Sequence, residues 1–81
     1  MTPRGLADLT PGAAIALLQI HGGERASYVV AALREQAPQF RRALPEDICT
    51  LVMLDLVSAD RRHGIRLTPR GIAWCRPVLG R

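Results

Sequence analysis

Residues 54–71 read LDLVSADRRHGIRLTPRG, and the fold turns on how this stretch is interpreted. Leu56-Val57-Ser58-Ala59 is a short run compatible with a strand, and Ile65-Arg66-Leu67-Thr68 is a second with period-two alternation. Between them Asp60-Arg61-Arg62-His63-Gly64 is polar and ends in a glycine, the residue that most easily takes the positive φ closing a hairpin. Thr68-Pro69 then has the chemistry of a helix start: a hydroxyl to accept from free N–H groups, followed by proline at the first helical position. The stretch therefore predicts two strands, a basic tip and a helix start, in that order.

Working back from the hairpin, residues 45–56 predict a helix. Pro45 opens it, Glu46 and Asp47 suit the positive end of its dipole, and Ile48, Leu51, Val52, Met53, Leu54 and Leu56 mark it as a core helix. Residues 38–44 form a connector in which Phe40 and Leu44 are expected to point inward, with Arg41 and Arg42 exposed. A helix over residues 24–37 carries Val29, Val30, Leu33 and Ala37 on one face and ends before Pro38. Thr10-Pro11 repeats the cap-then-proline start, and the helix it opens stops at Gly22-Gly23. Ala14, Ile15, Leu17 and Leu18 make that helix nearly all apolar, so it should be almost surrounded. Beyond the hairpin a short helix should run from Pro69 to about Arg76, with Pro77 stopping it and Ile72, Trp74 or Cys75 covering the sheet. The expected organisation is a flexible tail over 1–9 with a turn near Leu6, one domain over 10–77, and a tail over 78–81.

The chain has 81 residues, and a domain of this size buries only about 60% of its unfolded surface. Tyr28, Phe40 and Trp74 are the only aromatics, so the interior must be built from Leu, Val, Ile and Ala. All 11 basic residues are arginine, and their distribution says more than the net charge of +4. Residues 1–59 hold Arg4, Arg25, Arg34, Arg41 and Arg42 against Asp8, Glu24, Glu35, Glu46, Asp47 and Asp55, a balance of −1. Residues 60–81 hold Arg61, Arg62, Arg66, Arg70, Arg76 and Arg81 against Asp60 alone, a balance of +5. Such asymmetry points to an anionic partner, most often nucleic acid.

Cys49 and Cys75 are too few and too far apart for a disulfide framework. As free, buried thiols they fit a reducing cytoplasm, which is the expected location. No secretory leader is recognisable after Met1, and the run from Ala13 to Leu18 is far short of the ~20 residues that span a bilayer. His21, Cys49, His63 and Cys75 include no close ligand pair, so neither a metal nor another cofactor is expected. Ser27, Ser58 and Cys49 lack the neighbours that activate a nucleophile, so no catalytic residue is expected and the chain reads as a non-enzyme.

Three helices, a hairpin with a basic tip and LTPRG after the second strand resemble a winged helix-turn-helix domain, in the manner of MarR- and PadR-type bacterial regulators. The order is also similar to winged-helix modules attached to some restriction-type enzymes. The resemblance implies a single α+β domain with a two- or three-stranded sheet, in a bacterial or phage transcription regulator. It implies that the helix before the hairpin faces the major groove of double-stranded DNA and that the wing touches the backbone or minor groove. Arg61, Arg62, His63 and Arg66 would supply wing contacts with Arg70 flanking them, and Arg41, Arg42 and Thr50 the helix-side contacts. Phosphate contacts would dominate.

One feature opposes this. The solvent side of residues 45–56 offers Glu46, Asp47, Thr50 and Asp55 where base-reading helices usually carry donors. Three carboxylates there fit an alternative: a protein-interaction module, such as an adaptor or a small phage-type inhibitor of a nucleic-acid enzyme, working through Glu46, Asp47 and Asp55. A homodimer through the terminal segments, with Trp74, Val78 and Leu79 partly exposed, is compatible with both. No membrane partner is expected.

Overall fold

The computed structural model describes residues 4–40 and 42–79. After a 3₁₀ turn at Leu6–Asp8 come α1 (Pro11–His21), α2 (Glu24–Gln36), α3 (Pro45–Met53), β1 (Val57–Asp60), β2 (Gly64–Leu67) and α4 (Pro69–Leu79). The protein is α+β, with three helices, an antiparallel two-stranded hairpin and a final helix, a winged-helix-like layout.

α1 is the centre of the molecule. Thr10 accepts from the Ala13 N–H through its hydroxyl at 3.3 Å, and the helix ends at Gly22, whose N–H donates to the Leu18 carbonyl. Every residue from Gly12 to Leu18 is buried, so no face is left for solvent until Gln19 and His21. α2, α3, α4 and β2 all pack on it, and Ile15, Leu17 and Leu18 meet Leu51, Leu56, Val57 and Cys75 in the core. Burying a side chain of this size stabilises by about 1.5–3 kcal/mol. On α2, Val30 is buried with Val29 and Leu33 half-covered as expected, and Ala26 joins them.

α3 is three residues shorter than its apolar pattern implies. It ends in a Schellman turn: the Leu56 N–H donates to the Leu51 carbonyl at 2.9 Å and the Asp55 N–H to Val52 at 3.0 Å. Asp55 takes the left-handed position at φ 60°, which aspartate tolerates better than most side chains. The turn brings Leu56 and Leu51 into the core together, both fully buried. It also rotates other apolar residues out: Val52 is 43% and Met53 86% exposed, so α3 is a core helix on one face only. Leu44, expected inside, is 46% exposed, because it occupies the N-cap position of α3 while Phe40 takes the inward place.

The structured unit reaches past residues 10–77 at both ends. Leu6 and Leu79 are buried in the core. Pro77 does not stop α4. It costs the last turn one hydrogen bond, while burial of Cys75 and Leu79 on either side and a 2.7 Å bond from the Arg25 guanidinium to the Leu79 carbonyl hold that turn. Trp74 is half-covered and Val78 is exposed, but Leu79 is not available at the surface. Among the sheet-facing candidates on α4, Cys75 is buried and Ile72 remains exposed. No helix among the described residues is long and apolar enough to cross a membrane.

Candidate nucleic-acid interface

The hairpin leaves the body at Leu56 and returns at Thr68, and that base is tightly tied. The Thr68 N–H donates to the Leu56 carbonyl at 3.1 Å, its hydroxyl donates to the Asp55 carbonyl, and its oxygen accepts from the Gly71 N–H at 3.1 Å. Thr68 therefore caps α4 and fastens the wing in one position. In the ladder Val57 faces Leu67, Ser58 faces Arg66, Ala59 faces Ile65, and Asp60 faces Gly64. The Val57–Leu67 pair enters the core, whereas the next pair on that face does not, and Ile65 is 44% exposed. Every residue from Ser58 to Arg66 is exposed, so the hairpin projects beyond the body.

Asp60 organises the tip. It accepts from the Arg62 N–H at 2.8 Å and lies 2.9 Å from His63 Nδ1, while Gly64 closes the turn at φ 70°. The His63 contact first, and the Arg62 backbone bond second, hold the Asp60 carboxyl below its ordinary range. Using the single acid of this region as a brace turned back on the turn leaves the side chains of Arg61 and Arg62 exposed at the tip. Arg66 and Ser58 share the polar face with Asp60. Arg70, in the first turn of α4, stacks over Trp74 at 5.5 Å from the ring centroid, which orders its guanidinium at the surface.

The helix-side residues are arranged differently. Arg42 is exposed; Arg41 lies outside the described residues. Thr50 is exposed, but its hydroxyl hydrogen is committed to the Glu46 carbonyl at 2.9 Å. Asp47 is not on the solvent side: it is buried, and its carboxylate accepts from the Leu44 N–H at 3.0 Å, tying the start of its own helix. A Cβ on Gly12 would stand 2.9 Å from that carboxylate and 3.0 Å from Phe40 Cδ1, so α1 admits Asp47 because residue 12 has no side chain. Glu46 and Asp55 remain exposed. Two acids, not three, therefore flank this face. Cys49 is exposed as well, unlike Cys75, whose thiol pKa is raised by burial.

Among the described residues no three His, Cys, Asp or Glu side chains gather as metal ligands would. The chain matches no family model, no curated protein and no solved structure. The candidate interface rests on geometry alone: a projecting wing carrying Arg61, Arg62, His63 and Arg66, with Arg70 near its base.

The turn of Asp47 was signalled in the sequence by an acid at the third helical position, where a carboxylate reaches back to the N-cap N–H. The exposed apolar edge of α3 had no such signal.

Proposed function

We propose that this protein is a non-enzymatic binder of double-stranded DNA, of the small bacterial or phage transcription-regulator kind, gripping the backbone with its wing. The observation that carries this is the continuous exposure of residues 58–66 on a fixed base, with three arginines and a histidine set against one acid that braces the turn. Guanidinium groups so placed suit phosphate oxygens, for which arginine offers forked, permanently charged donors. Arg42 and Arg70 add to the same electrostatic attraction.

Fluorescence anisotropy of a generic labelled duplex, titrated at several salt concentrations, tests this. Affinity should fall steeply with salt, and Arg61→Ala with Arg62→Ala should weaken binding and reduce the log–log slope by about 1.8, roughly 0.9 for each phosphate no longer neutralised. A folded protein that binds no duplex even at low salt would refute the reading.

A second reading, docking of a protein partner on α3, is favoured by the exposure of Val52 and Met53 beside Glu46 and Asp55. Asp47, which that reading also invoked, faces away from such a surface.

A further inference from the structure

At the wing tip Asp60 decides which nitrogen of His63 carries a hydrogen. Its carboxyl lies below the ordinary carboxylate range and is ionised at neutral pH, so it can only accept. With His63 Nδ1 2.9 Å from Asp60 Oδ2, the ring donates through Nδ1. In the neutral imidazole the one hydrogen is committed there, and Nε2 holds a lone pair. A phosphodiester oxygen brings no hydrogen of its own, so neutral His63 has nothing to offer it. Protonation turns Nε2 from acceptor to donor while the Asp60 bond stays in place, and it adds a positive charge.

The surroundings of the ring suit an anion. Ser58, Asp60, His63, Gly64 and Arg66 line a hollow of about 200 Å³ in the hairpin. Ser58 and Arg66 oppose each other directly in the ladder, so a hydroxyl and a guanidinium stand together in it. Every residue from Ser58 to Arg66 is exposed, so the charges facing His63 are those of the wing itself: Asp60, Arg61, Arg62 and Arg66. Asp60 attracts a charged ring, and the three arginines oppose one. A phosphate seated in the hollow adds a second anion and tips this balance towards the imidazolium.

Resting on the DNA reading above, we propose that Ser58, His63 and Arg66 seat one backbone phosphate, and that His63 takes up a proton as the phosphate enters. Asp60 is the positioning residue, holding the ring by Nδ1 and leaving Nε2 for the phosphate. The complex then carries one proton more than the free protein, so affinity rises as pH falls across the range in which histidine titrates.

Anisotropy of the same labelled duplex, titrated between about pH 5.5 and 8.5 at several salt concentrations, tests this. Wild-type affinity should rise by up to about tenfold for each unit that the pH falls. The log–log salt slope should be steeper by about 0.9 at the acid end, where one more phosphate is neutralised. His63→Gln should match the wild type at the alkaline end and change little with pH. His21→Gln, at the end of α1, should keep the wild-type profile. Asp60→Asn, which no longer obliges Nδ1 to be the donor, should bind more tightly at the alkaline end and respond less to pH. Affinity independent of pH, with Arg61 and Arg62 still required, would overturn the proton-linked seat and leave the DNA reading intact. A pH profile that persists in His63→Gln would overturn it as well. A folded protein that binds no duplex at any pH at low salt would remove the DNA reading and this inference together.

Discussion

Gly71 is where the wing and the last helix come closest. A Cβ there would stand 2.0 Å from the Leu56 carbonyl oxygen, which already accepts from the Thr68 N–H. Backbone cannot give way as a flexible side chain can. Gly71→Ala should therefore lower stability by at least about 2 kcal/mol despite the better helix propensity of alanine, read as a lower urea midpoint at unchanged slope. The LTPRG segment announced a helix start through Thr68 and Pro69, whose roles are local. The demand on Gly71 was not legible there, because it is made by a carbonyl fifteen residues earlier. Asp47 repeats the pattern: its place in the interior depends on Gly12 of another helix.

Among the elements, the hairpin was readable and α3 only half so. A strand pair closed by glycine is specified by alternation and turn chemistry, and Gly64 does what its position implied. On α3, residues 51–54 and 56 are all apolar, so the pattern names no face, and the true face is chosen by the turn at Asp55. The pattern also hid the end of the helix, since no glycine marks a left-handed position that aspartate occupies. Pro77 misled in the other direction, because in the last turn it removes little that burial of Leu79 does not offset.

The hairpin carries its own pH response. The Asp60 carboxyl lies below its ordinary 3.8, so the ionised form is the one the folded turn favours. Its bracing of the tip is fully present above 3.8 and is lost as pH falls through the lower folded value. Amide NMR signals of Arg62 and His63 should then shift at pH below 3.8, and Asp60→Asn should abolish that transition while sparing the core signals. A tip that titrates identically in the Asn variant would contradict the assignment.

For the whole molecule, everything is assembled on α1. Leu17 is fully buried there, and Leu17→Ala should cost about 2–5 kcal/mol in chemical denaturation. Domains of this length have roughly 4–12 kcal/mol in all, so the variant should be close to unfolding at moderate temperature. Substitutions at Met53, which is 86% exposed, should change stability by no more than about 0.5 kcal/mol, which separates surface from scaffold.

The ties at the foot of the wing have a consequence for how such a protein can change over generations. Leu56 and Thr68 are bonded to each other, and from Ser58 to Arg66 no residue is buried in the core. The body is thus insensitive to how many residues lie beyond the Val57–Leu67 pair. Doubling a loop closed at a fixed base adds only about 0.6 kcal/mol of closure entropy. Insertions there can lengthen the reach of the wing or alter its charge while the helical body keeps its sequence.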